Sequence, residues 1–543
     1  MTSWFEITNL FFNPSSEHLK IEVTKEQKMT NVNAEIIDLT ELTVEQVQAG
    51  FASGAFTSEK LTKAYLERIA EFNPSYNAIV FFNEKAVEEA CAIDKRRAAG
   101  EKLGPLAGVP VVVKDAMDMK GFPTTGGWSL LYSKTGGVDL LPETDSPVVA
   151  RMRKADTVIL GKTNIPVLSH TGAHANGSWA GSTYNSVDRE FLPGGSSTGT
   201  ATAVGGNFCV LGLAEETAGS IQNPASAQGL VGIKPTHGLV PNTGVFPLSS
   251  LRDVVGPIAR CVRDAALTLD ALAGFSMEDP KTLAGVGKRP KGGYISKLDK
   301  NALKGKRIGL YGPGWRASTF SEETTGLYQR AQEELEKLGA DLVKDPFAGS
   351  GFRELSKAVL PGAEFDARGM ESIANDIEKY LQRMGSKVAL KTFAEFAKAT
   401  QKEDAFGPEG VLNYMSHMPE FVEATKSPST PPDMTSFITL RETYLDIFNT
   451  IFDKEKLDAV IYPQMRGPLG PLHGDEAIDG MVVSEINIAG LPAVTVPAGF
   501  YDSGAPFNLV IVARQWSEVD MLAIAYAYEQ GTRYRKAPEL KKA

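Results

Sequence analysis

The sequence predicts an α/β protein, and three observations carry that expectation. Short uninterrupted apolar runs, of which Val109–Val113 (VPVVV) is the clearest, read as strands buried on both faces. Segments of helical period lie between those runs. The composition, 42% hydrophobic and 22% charged over 543 residues, is that of a globular chain with a sizeable core.

Taken in order, residues 1–35 are polar and aperiodic and read as a peripheral N-terminal extension, leaving 36–540 as one large domain. Thr43 with Gln46 three residues on makes a capping box. Leu61, Ala64, Tyr65 and Ile69 then fall at helical spacing until Asn73-Pro74, which is expected to stop the helix. A second helix is expected over Glu84–Ala99, so that helices precede the first strand, Val109–Val113, which ends in Lys114-Asp115. Thr157–Leu160, closing on GKTN, and Phe208–Ala214 are the next strands. Arg307–Tyr311, Ala459–Tyr462, Ala493–Val496 and Leu509–Ala513 follow. Residues 275–480 carry a more charged helical pattern, as in Glu322–Lys337, and read as a variable region within the same domain.

Composition excludes several classes of function. A net charge of −10 without a basic stripe argues against nucleic-acid binding. No window reaches the ~18 uninterrupted apolar residues of a membrane span, and the first residues lack the pattern of a secretory signal, so a cytoplasmic location is expected. Cys91, Cys209 and Cys261 are widely spaced and odd in number, fitting buried free thiols better than a disulfide framework or a zinc site.

Three motifs mislead. Gly161-Lys162-Thr163 follows a strand as the end of a phosphate loop does, but the first glycine of that loop would fall on Asp156. His170 and His174 have helical zinc-ligand spacing without the accompanying glutamate or a third ligand. Gly195-Ser196-Ser197-Thr198-Gly199 matches GxSxG with Ser197 at its centre, yet no strand precedes it, and His237, His417 and His473 have no recognisable triad setting.

What remains is Lys114 at the end of an apolar strand, Ser196 after two glycines, and Ser220 after Ala218-Gly219. A serine hydroxyl needs a base, and Ser–Lys pairs are an alternative to Ser-His-Asp. Lysine serves as a base only when neutral, and burial lowers its pKa from about 10.4. Each residue alone has an ordinary reading: a lysine whose head reaches solvent, and serines of turns or helix caps.

The combination resembles the amidase signature family. GVPVVVKD at 108–115, GKTN at 161–164, PGGSSTG at 193–199, AEETAGSIQNPA at 214–225, GLVGIKPTHGLV at 229–240 and DVVGPIARCVRDAAL at 253–267 match its motifs in order and spacing. The resemblance implies a single α/β/α sandwich with a central mixed, twisted sheet covered by helices. It also implies Ser220 as acyl-accepting nucleophile, Ser196 as bridging serine on a cis peptide bond, Lys114 as base and Ser197 in a supporting position. The backbone N–H groups of Thr217, Ala218, Gly219 and Ser220 would form the oxyanion hole. No cofactor is implied. The expected substrate is a small apolar or aryl amide, or a carbamate, acted on by a monomer or homodimer. A glutamine-dependent amidotransferase A-type subunit, with partner chains, and a non-catalytic binding homologue are the alternatives. Trp179 is expected to line the substrate pocket, while Phe352, Phe365, Tyr414 and Met415 fit core packing better. Where the family commonly reads Asp-Thr-Gly-Gly-Ser-Ile-Arg, this chain reads Glu216-Thr217-Ala218-Gly219-Ser220-Ile221-Gln222.

Overall fold

Apolar runs bounded by turn residues become the strands of one mixed sheet. The structure, a computed structural model, describes residues 37–170, 177–316, 319–357, 360–361, 363, 365–473, 480 and 483–543. The expected extension at 1–35 and His174 lie outside them.

Eleven strands are present among the described residues: β1 Ile79–Phe82, β2 Pro110–Lys114, β3 Val158–Thr163, β4 Leu211–Glu216, β5 Val231–Lys234, β6 Val254–Ala259, β7 Arg307–Leu310, β8 Asp341–Lys344, β9 Ala459–Pro463, β10 Ala493–Phe500 and β11 Pro506–Val512. Across the sheet they run β1-β3-β2-β4-β6-β5-β10-β11-β9-β7-β8. β2 is parallel to both β3 and β4, and β7 to both β8 and β9. The other neighbours are antiparallel. Every residue of β2 to β6, β9 and β11 is buried, so both faces of the sheet are covered, which is the predicted α/β class.

The helical readings hold with two adjustments. α1, Val44–Ser53, starts on the expected Thr43–Gln46 capping box. α2, Ser58–Tyr76, runs through Pro74 instead of stopping at it. Pro74 falls in the last turn, where one ladder bond is lost with only two helical residues still to follow. Asn73 recaptures the chain beyond: its side-chain oxygen accepts Ala78 N–H and Ile79 N–H, each at 2.9 Å. α3, Ala86–Ala98, is the expected second helix. β1 lies between α2 and α3, so Val109–Val113 is not the first strand. Four residues, IVFF, pairing only at the sheet edge are too short to stand out from their helical flanks.

β5, β6 and β8 also escape the apolar-run criterion. β6 contains Gly256 and Pro257, which read as breakers. Gly256 is required there, because a Cβ would run into the Ile233 carbonyl of the neighbouring strand. β4 starts three residues later than Phe208, since Asn207 takes a left-handed turn at φ 59°.

Phe352 belongs to a buried cluster with Trp315, Phe347, Tyr444 and Phe448, which fixes it as core. The C-terminal segment folds back over the sheet. Arg535 donates to the carbonyls of Gly205, Gln228 and Gly229 and pairs with Glu41 at 2.9 Å. Cys91, Cys209 and Cys261 are free thiols; only Cys209 is fully buried, the other two being partly exposed. No described helix is long and apolar enough to cross a membrane.

Candidate active site

β2 and β4 are parallel neighbours, with Val111 opposite Leu211 and Val113 opposite Leu213, so their carboxyl ends deliver side chains to the same place. β2 contributes Lys114 and β4 contributes Glu215 and Glu216. Lys114 is fully buried, with Nζ 2.6 Å from Ser196 Oγ, 2.8 Å from Glu215 Oε2 and 3.1 Å from the Glu215 carbonyl.

Ser196 sits on the loop leading into α4, Thr198–Gly205, and the Gly195–Ser196 peptide bond is cis. Ser197 occupies the position before the first turn of α4; its hydroxyl donates to the Glu215 carbonyl at 3.1 Å and its N–H to the Ser220 carbonyl at 3.3 Å. The serine loop and the Ser220 loop are thereby joined directly. Gly199, the second glycine of the GxSxG match, lets α4 approach β1 and β3, because a Cβ would run into Ala78 O and Asn164 N. That close packing, with no strand before Ser197, accounts for the motif without a nucleophile elbow.

Ser220 lies between β4 and α5, Gln222–Ala227, and is half-buried, whereas Lys114 and Ser196 are at 0% exposure. Gly219 takes φ 108°, while Ala218 is not among the positive-φ residues, so alanine is tolerated there. Among the described residues, no acceptor is hydrogen-bonded to the backbone N–H groups of Thr217, Ala218, Gly219 or Ser220.

Glu216 and Gln222, two of the three departures from the common family pattern, bond to each other: Gln222 Nε2 donates to Glu216 Oε1 at 2.6 Å. The same carboxylate accepts Ile221 N–H at 2.9 Å, Gln222 N–H at 3.1 Å and Asn487 Nδ2 at 2.9 Å. It therefore clamps the start of α5 to the end of β4. Replacing Glu216 by Ala removes the acceptor that these four buried donors share and is expected to destabilise the fold by about 2–4 kcal/mol, read from the midpoint of a urea denaturation. An unchanged midpoint would refute the clamp.

The charges around Lys114 are arranged against one another. Burial pulls the Lys114 pKa down, and the carboxylate of Glu215 opposes that shift, followed more weakly by Asp253 and Glu216. Thr217 Oγ1 lies 3.1 Å from Glu215 Oε1 and 2.6 Å from Asp253 Oδ1. Burial, reinforced by the charge of Glu215, pushes Asp253 up to about 7. Glu215, Asp253 and the Thr217 hydroxyl are contacts that the sequence reading missed; the only local signal was the acidic pair in AEET beside the serine loop.

Trp179 is half-buried, with Nε1 donating to Thr125 Oγ1 at 2.9 Å and its ring 4.5 Å from Tyr132 and 5.4 Å from Phe81. Thr125 in turn donates to Asp115, the residue after Lys114, so the indole is linked to the site through that pair of hydrogen bonds. Lys162 of the GKT motif lies inside β3 and is buried against Asp115 at 2.8 Å, a structural ion pair. Tyr414 and Met415 are fully buried, and Phe365 packs with Tyr414 and His170 at ring separations of 6.2 and 6.3 Å. Burial draws His170 down to about 4.

Comparison with known proteins decides the family. The family model described as Amidase matches residues 60–522. The chain belongs to the amidase signature family. Within it, a glutamyl-tRNA(Gln) amidotransferase subunit of Moorella thermoacetica is 34% identical over 494 residues, covering 89% of this chain and 95% of that protein. The native peptide amidase from Stenotrophomonas maltophilia superposes with a TM-score of 0.75 at 30% identity, covering 92% of this chain and 99% of the other. An amidase family protein from Bacillus anthracis gives a TM-score of 0.74 at 26% identity, covering 92% and 93%. The mixed sheet with its helices is the amidase signature fold, and the chain is an enzyme of an amide-cleaving family.

Proposed function

We propose that this amidase hydrolyses a carboxamide-type C–N bond through an acyl-enzyme on Ser220. The observation that supports it most is the buried 2.6 Å contact between Lys114 Nζ and Ser196 Oγ, on a loop hydrogen-bonded to Ser220. In this reading neutral Lys114 accepts the Ser196 hydroxyl proton while Ser196 takes that of Ser220, whose Oγ attacks the substrate carbonyl. The unengaged N–H groups of Thr217, Ala218, Gly219 and Ser220 hold the oxyanion; in a precedent from another hydrolase, each such donor is worth about 3 kcal/mol. The relay then runs backward, protonating the leaving nitrogen, and water releases the acid by the same route. No cofactor enters any step.

The substrate we infer is a small apolar or aryl amide, or a carbamate, with Trp179 bounding the pocket. Free thiols at Cys91, Cys209 and Cys261 fit a reducing, cytoplasmic setting. The test is to treat the protein with a serine-reactive phosphonyl fluoride, locate the adduct by peptide mass mapping, and assay amides, anilides, carbamates and esters in parallel. A single adduct on Ser220 with turnover of at least one amide is expected; an adduct elsewhere would overturn the assignment. The 34% identity to an amidotransferase component supports a second reading, that the chain works with partner chains on glutamine. Glutaminase activity appearing only with a co-purified partner would favour it.

A further inference from the structure

A buried line of contacts continues past Lys114 on the side away from Ser196. An ammonium has three N–H donors, and a neutral amine has two with one lone pair. Glu215 presents two acceptors to Nζ, its carbonyl at 3.1 Å and Oε2 at 2.8 Å. If both are occupied by N–H groups, the one remaining valence faces Ser196 Oγ at 2.6 Å in either protonation state. It is a donor when the lysine is charged and a lone pair when it is neutral.

Glu215 is held in turn. Thr217 Oγ1 sits between Glu215 Oε1 and Asp253 Oδ1, at 3.1 and 2.6 Å. Asp253 Oδ1 accepts the Thr217 hydroxyl and its Oδ2 accepts Leu248 N–H at 3.0 Å and Ser249 N–H at 2.9 Å, so a single hydroxyl ties the two carboxyl groups together.

We propose that Glu215 is the positioning residue of Lys114, fixing two of its N–H groups so that the third valence faces Ser196, and that its charge sets the pH at which the lysine becomes neutral. The inference rests on the acyl-enzyme reading above. The other charged groups around Lys114 are Glu216 on β4, Asp253 before β6, and the pair of Asp115, just after β2, with Lys162 of β3. The sign is definite. A carboxylate beside Lys114 favours its ammonium form, so removing the charge lowers the pH at which the base is released.

The test compares Glu215→Gln, which keeps an acceptor and loses the charge, with Glu215→Asp, which keeps the charge and shortens the reach. For Glu215→Gln the acidic limb of the pH profile of kcat/KM, and of the phosphonyl fluoride labelling rate, is expected to move about one unit or more to lower pH. The plateau should stay within several-fold of wild type. For Glu215→Asp the limb is expected to stay in place while the plateau of kcat falls at least about tenfold with little change in KM. Superimposable wild-type and Glu215→Gln profiles, or an unchanged Glu215→Asp plateau, would overturn the proposal. Should Glu215→Gln fail to fold, the Glu215→Asp plateau decides alone. Ser220→Ala run alongside separates the two levels: retained labelling in that variant sinks the acyl-enzyme reading, whereas its loss together with an unmoved Glu215→Gln limb sinks only the role of Glu215.

Discussion

Ser220→Ala is expected to lose about 10⁵-fold or more in kcat and all labelling by a phosphonyl fluoride. The size follows from the reaction scheme: without Oγ there is no acyl-enzyme, and the remaining N–H donors can only polarise a carbonyl that nothing attacks. Ser220 is half-buried at the mouth of α5, and its side chain makes no hydrogen bond among the described residues. Alanine there should fold with an unaltered denaturation midpoint, so lost activity reports chemistry. A variant retaining even about 1% of wild-type turnover would remove Ser220 from the mechanism.

Lys114→Met is the second large effect, expected to lower kcat/KM by about 10³-fold or more at pH 7. Methionine keeps most of the buried volume of the side chain and removes only the amine. The loss of the Lys114–Glu215 pair leaves a buried carboxylate without its cation, and breaking such a pair costs about 3–5 kcal/mol of stability. The variant is therefore expected to be less stable than wild type, read from the midpoint of a urea denaturation. Full activity near pH 7 would exclude Lys114 as the base.

How much of this was legible in the sequence depends on the distance over which each contact acts. VPVVV bounded by LAG and KD announces β2, and the register of β2 with β4 then places Lys114 at a strand end without further information. The motifs located Ser196 and Ser220. Glu215 stayed hidden, because its contact with Lys114 spans 101 residues of chain and no local pattern marks the acid that will face the lysine. The same holds for Asp253, 36 residues from Thr217. β6 was masked by Gly256 and Pro257, residues that end strands in isolation, although Gly256 is accepted here because a neighbouring carbonyl needs the room. Pro74 misled in the opposite direction, since the side chain of Asn73 beside it collects the N–H groups of the chain that leaves the helix. Local rules fail in this chain where another partner satisfies the group they would leave unpaired.

Arg535 gives the far end of the polypeptide a say in the serine loops. α4 and α5 are only eight and six residues long and follow directly on Ser197 and Ile221, too short to be stable on their own. The guanidinium of Arg535 donates to the carbonyls that close both of them, Gly205 at the end of α4 and Gln228 and Gly229 after α5, while Glu41, 494 residues away along the chain, neutralises it. The segment around Arg535 is therefore part of the frame that holds both serine loops. A chain cut before Arg535 would keep Lys114, Ser196 and Ser220 and lose the brace at the ends of the two helices behind the serine loops.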